Sequence, residues 1–220
     1  KTISSTSGDL VLTADAVVQN GDLATGTVAG NVGTITVTAD NGGITMADGT
    51  TSGTAGGAGQ IAYSATGDIA LSLLTTGGDI HLTAGSGAST SGAITDNTAA
   101  ETANLIGANL VMNAETGIGT STTDIDTTLT TLEATNATSG DIYLQETSGL
   151  TLTGTGVRTL AGNGNINLDV DAGALTVSGV VTAHGDGNIT LNADGGTLTQ
   201  DATKTISSTS GDLVLTADAV

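Results

Sequence analysis

The residues with chemistry to offer recur inside one short word. Gly8-Asp9-Leu10, Gly67-Asp68-Ile69, Gly78-Asp79-Ile80, Gly140-Asp141-Ile142, Gly164-Asn165-Ile166, Gly187-Asn188-Ile189 and Gly211-Asp212-Leu213 each place Asp or Asn between a glycine and a large aliphatic residue. If these positions stack, their carboxylates form a column that could gather cations. Calcium is the ion to consider, since it takes about six to eight oxygens from carboxylates and carbonyls. Its candidate ligands are Asp68, Asp79, Asp141 and Asp212. The same residue types also cap tight turns by bonding nearby backbone, following a glycine that supplies positive φ. The Gly-Gly-x-Gly-x-Asp calcium signature is missing, which favours the capping reading. No other cofactor is expected.

The remaining reactive residue types are scattered. His81 and His184 have no second His or Cys at ligand spacing, so both read as exposed, non-functional side chains. Ser and Thr are abundant, but none has a His and an Asp arranged around it as a nucleophile requires. The glycine-rich stretch Gly53 to Gly59 is followed by no Lys and by no strand-to-helix switch, so a phosphate cradle gives way to a loop. Polysaccharide lyases built on parallel β-helices use basic side chains and sugar-stacking aromatics. With Arg158 as the one cation besides Lys1 and Lys204, and with Tyr63 and Tyr143 as the aromatics, the chain is not expected to be an enzyme.

The elements that must position these residues are short strands. In Asn188-Ile189-Thr190-Leu191-Asn192-Ala193 every second residue is apolar, and Thr34-Ile35-Thr36-Val37-Thr38-Ala39 repeats the pattern. Period two places the aliphatic set on one face of a strand, whereas a helix needs spacings of three and four. The word's first large apolar residue returns at Ile142, Ile166, Ile189 and Leu213, at intervals of 24, 23 and 24. Each return is followed by a second apolar piece (Leu150 and Leu152; Leu175 and Val177; Leu198) and then a third, such as Val180-Val181-Thr182-Ala183. Three short strands per period describe one coil of a three-sided β-solenoid. The fold class is therefore all-β, with about nine to ten coils stacked in parallel around an aliphatic interior. Outward threonine rows such as Thr34, Thr36 and Thr38 raise ice binding, but Asn165, Asn167 and Asp169 interrupt the row.

Longer-range order is stronger still. Lys1 to Val17 recurs, residue for residue, as Lys204 to Val220, 203 positions later. Residues 1–220 then read as a single solenoid segment, one 203-residue tandem unit plus the first 17 residues of the next copy. A coil of about 23 residues divides that unit into roughly nine coils, a rod near 40 Å long. The middle is less regular. Ile69 and Ile80 are eleven residues apart, so one of them must occupy a different side. The 32 residues from Leu110 to Ile142 suggest an enlarged loop or extra turn near Ser121 to Thr128, and Gly49 to Gly59 is the candidate for a protruding loop.

Composition supports a solenoid and narrows the partners. There is no Phe, Trp, Pro or Cys, while 34 glycines punctuate Ile, Leu, Val and Ala. Disordered chains lack such regularly spaced aliphatics. Twenty-two acids against three cations give a net charge of −19, which excludes nucleic acid binding through phosphates. No run of about eighteen apolar residues spans a membrane, so membrane insertion is not expected.

Gly-Asp-Ile-x-Leu, the run Thr102 to Ala114, Asp126 to Leu129, and Gly140 to Leu144 together resemble the repeats of filamentous-haemagglutinin-type proteins and the giant bacterial surface adhesins that share them. That resemblance implies a right-handed parallel β-helix in an exported fibre at the bacterial cell surface, serving adhesion, aggregation or coating. Its expected partners are neighbouring units end to end, other cells and surface glycans. The alternative is an ion- or carbohydrate-binding β-helix module of an extracellular protein, using the Asp column or the loop near Gly49 to Gly59.

Overall fold

A computed structural model of the chain describes residues 1–26, 32–55, 57–100 and 102–219, with the side chain of the last of these left aside. The described residues hold strands and turns and no helix. Every pairing between named strands is parallel and joins segments one coil apart, so the chain winds as a β-solenoid.

Three ladders run along it. The first contains Leu10–Ala14, Ile35–Ala39, Ile61–Ala65, Ile80–Ala84, Asn109–Ala114, Thr131–Asn136 and Leu150–Thr159. It continues through the paired pieces Leu175–Val177 and Val181–Ala183, and ends on Leu198 to Gln200 and Ile206–Ser208. The second ladder stacks Ile3, Leu23, Ser52, Leu74, Leu105, Thr127, Glu146, Val170, Ala193 and Ala217 in register. The third stacks Val17, Ile44, Ile69, Ile94, Ile118, Ile142, Ile166, Ile189 and Leu213, nine levels deep. From Ile142 onward the third and second ladders share one strand per coil, as in Ile142–Glu146 and Ile166–Val170.

Side-chain alternation makes the coil close. Ile35, Val37 and Ala39 are buried while Thr36 and Thr38 stay partly exposed, and Ile189, Leu191 and Ala193 alternate with Thr190 and Asn192 in the same way. Each buried Ile lies between its counterparts above and below. Full burial of such a side chain contributes about 1.5–3 kcal/mol, a gain that needs neighbours on both sides. Ile69 and Ile80 do occupy different sides, in the third and first ladders.

Three expectations about loops change. Thr51–Thr54 is a strand of the second ladder, with Ser52 fully buried, so Gly49 to Gly59 does not protrude as a whole. Ile125–Thr128 is likewise a stacked strand, and only the Thr120 to Thr123 turn departs from the coil. The 32 residues from Leu110 to Ile142 are no oversized coil. These two residues belong to different ladders, and Leu110 pairs Leu132. Alternation alone could not reveal this, because Thr and Ser serve as well inside a small polar core as outside it.

Candidate functional site

Each letter of the Gly-Asp/Asn-Ile word has its own column. The glycines Gly140, Gly164, Gly187 and Gly211 stack at one corner. A Cβ on Gly164 would come within 2.1 Å of the Gly140 carbonyl oxygen, and one on Gly187 equally close to that of Gly164. Gly140 has φ +88°, but Gly164 and Gly187 have no positive φ. At those two positions glycine answers to the close approach of successive coils and not to the left-handed turn the sequence suggested.

The Asp or Asn that follows reaches along the rod. Asp141 Oδ1 accepts from the Asn165 backbone N–H at 2.7 Å, Asn165 Oδ1 from Asn188 at 2.9 Å, and Asn188 Oδ1 from Asp212 at 2.8 Å. Asp68 Oδ1 takes the N–H of Ala93 at 2.8 Å. On the first ladder Asp9 accepts from Thr34, and this bond holds the Asp9 carboxyl below its ordinary pKa. Asp79 Oδ1 receives Asn109 Nδ2 at 2.6 Å, and Asn109 Oδ1 receives the Thr131 hydroxyl. These side chains thus act as surrogate carbonyls linking one coil to the next, where the sequence suggested caps closed within a single turn. Where the column holds Ala93, which has no acceptor to offer, buried Asn136 supplies Oδ1 to Gly117 N at 3.0 Å.

The four calcium candidates are not drawn together. Asp68, Asp141 and Asp212 share the third-ladder corner, but Ala93 and Gly117 separate the first two, and Asn165 and Asn188 the last two. Asp79 lies on the first ladder. Among the described residues no three His, Cys, Asp or Glu side chains form a metal-sized group.

The interior is less dry than an aliphatic column implies. Gln19 from the third ladder, Ser52 from the second and Tyr63 from the first meet inside the rod. Tyr63 Oη donates to Gln19 Oε1 at 2.7 Å and lies 2.7 Å from Ser52 Oγ, while Gln19 Nε2 donates to Ser52 Oγ at 3.0 Å. Burial pushes the Tyr63 phenol far above its ordinary pKa. Glu146, 0% exposed, accepts from Thr127 Oγ1, Leu129 N, Ser148 N and Ser148 Oγ at 2.8–3.0 Å. Burial raises its carboxyl above the ordinary range against the opposing pull of those bonds. Asn104 is buried as well, donating to Asp96 Oδ1 and accepting from Asp126 N. Sequence reasoning missed these groups, although Tyr63 shares the inward parity of Ile61 and Glu146 that of Ile142 and Leu144.

The remaining candidates lie outside. His81 is exposed between buried Ile80 and Leu82, and His184 Nδ1 lies 2.7 Å from the Gly162 carbonyl oxygen of the coil before. A surface groove of about 490 Å³ crosses the second ladder beside Asp22, Thr51, Gly53, Ala55 and Thr75. Its one carboxylate, Asp22, is engaged by the Thr51 N–H at 3.0 Å. Thr36 stacks between Val11 and Ala62, so the outward threonines build no continuous threonine column. The described residues thus offer hydrogen-bonding corners, short outward rows and shallow surface grooves on a continuous stack of strands. Comparison with family models, with curated proteins and with solved structures gave no match.

Proposed function

We propose that this chain is a structural and adhesive module of a long, secreted fibre at the bacterial cell surface, one that works by reach, stiffness and display and performs no catalysis. The observation that carries this reading is the uninterrupted stack. Nine levels of a single inward column, each repeating the same parallel pairing, make a rod that neighbouring units can lengthen without a new kind of interface. The engagement of Asp and Asn side chains in coil-to-coil bonds supports it, since those bonds stiffen the rod. A net charge of −19 keeps such rods soluble and mutually repelling along their sides.

The test is to display arrays of one, two and four tandem units on a non-adherent bacterium. Electron microscopy is expected to show fibres lengthening by about 40 Å per unit, and the cells are expected to aggregate or attach to surfaces as the array grows. Globular particles, or cells no more adherent than those without the array, would refute the proposal. The ion- or carbohydrate-binding alternative would use the groove beside Thr51. Titration with calcium and with oligosaccharides, read by calorimetry, separates the two: saturable heat belongs to that alternative.

A further inference from the structure

The two identical seventeen-residue segments do not occupy the same side of the solenoid. In the first, Ile3 belongs to the second ladder and Leu10–Ala14 to the first. In the second, Ile206 belongs to the first ladder, and the strand starting at Leu213 continues the merged third and second. Both elements have advanced by one side in the same sense. From Leu10 the chain passes the first ladder eight more times before Leu213, which lies one side further on, so 203 residues make eight turns and about a third, where a 23-residue coil predicted nine.

The two copies also show the two halves of one joint. Leu213 and Leu215 pair downward with Ile189 and Leu191. Leu10 and Leu12, the same residues of the other copy, pair upward with Ile35 and Val37 in the same parallel register. Superimposing the copies gives a continuous inward column, Ile166–Ile189–Leu213, with Leu10 coinciding with Leu213, and then Ile35–Ile61. The neighbouring strand joins as well: Val181 pairs Ile206, and its counterpart Ile3 pairs Leu23.

From this we infer that, where copies of this unit follow one another, the second copy stacks on the first through the shared seventeen residues and is turned by about one third of a revolution relative to it. Successive units then present any given surface residue on successive sides, as a single coarse spiral of three units per turn, and not along one edge. The groove beside Thr51 and the His81 side chain would each face a new direction about every 40 Å. This rests on the proposed fibre only in supposing that copies follow one another; adhesion itself plays no part in it.

A two-unit protein, with the second copy beginning where the first reaches Lys204, tests the joint. Thr190→Cys in the first copy with Val11→Cys in the second is expected to form a disulfide readily, because adjacent strands bring the two Cα atoms within bonding range. Thr199→Cys in the first copy, on the first ladder, paired with Asp9→Cys in the second, which belongs to the same first-ladder column, is expected not to. Bridging of the Thr199 pair and not the Thr190 pair would mean that the copies stack without rotation, and would overturn the inference. Gold labels on His81→Cys in a three-unit array give an independent reading by tomography. Labels on three different sides agree with the rotation, and labels along one line refute it, whether or not such rods make cells adhere.

Discussion

Removing the Tyr63 hydroxyl probes the polar knot that joins all three sides. Tyr63→Phe deletes the donor to Gln19 Oε1 and the contact with Ser52 Oγ, both 2.7 Å, and keeps the ring. Two buried polar groups lose a partner in a site without access to water, so the expected cost is about 1–3 kcal/mol, seen as a lower urea midpoint. Replacing all three members, as Gln19→Leu, Ser52→Ala and Tyr63→Phe, should recover most of that loss, because no unpaired polar atom is left behind. A second readout follows from the phenol itself. Its folded pKa lies above the unfolded value of about 10, so the native state holds the proton longer. Tyr63 then contributes full stability below pH ~10 and less as pH rises beyond it, at about 1.4 kcal/mol per pH unit. The chain has no Trp and only two tyrosines, so tyrosinate absorbance resolves each of them. Partly exposed Tyr143, raised by burial and then by Asp141, should ionise first, and Tyr63 only with unfolding. Two phenols titrating together while the far-ultraviolet β signal persists would refute the buried triad.

Four further outcomes are expected. Asn188→Ala removes the acceptor for Asp212 N and should cost about 0.5–1.5 kcal/mol, while Asn188→Asp should be nearly neutral; hydrogen exchange at Asp212 reads the difference directly. Gly164→Ala drives a Cβ to within 2.1 Å of Gly140 O and should destabilise by more than an ordinary surface change, visible as a lower melting temperature. Ile189→Asp places an unpaired charge in the third column and should abolish cooperative unfolding, whereas outward Thr190→Asp should change stability by less than about 0.5 kcal/mol; equal effects would invert the facing assignment. For Glu146 the raised carboxyl means that stability falls as pH rises above about 4.5, through the folded pKa. The gap in urea midpoint between pH 5 and pH 7 should therefore shrink in Glu146→Gln, and an unchanged gap would remove Glu146 from the account.

Much of this architecture is legible in the residues themselves. Period-two alternation in Thr34 to Ala39 and Asn188 to Ala193 determined strand type and facing, and the 23- to 24-residue return of Ile142, Ile166, Ile189 and Leu213 determined that coils stack. Both signals are local or strictly periodic, and burying an aliphatic side chain has the same sign at every level. What only the tertiary structure decided is which side each strand takes once the spacing wavers. Ser52, Thr127 and Glu146 fill inward positions because each finds hydrogen-bond partners on another strand or in an adjoining turn, and no single stretch of sequence encodes those partners. The glycine and Asp/Asn columns show the same division. Their spacing can be read along the chain, but their work is a contact and a hydrogen bond to residues about 24 positions away, which exist only after the coil has closed. The one-side advance between Leu10 and Leu213 is of this kind as well: identical sequence occupies different sides, because side is fixed by the accumulated length of every coil in between.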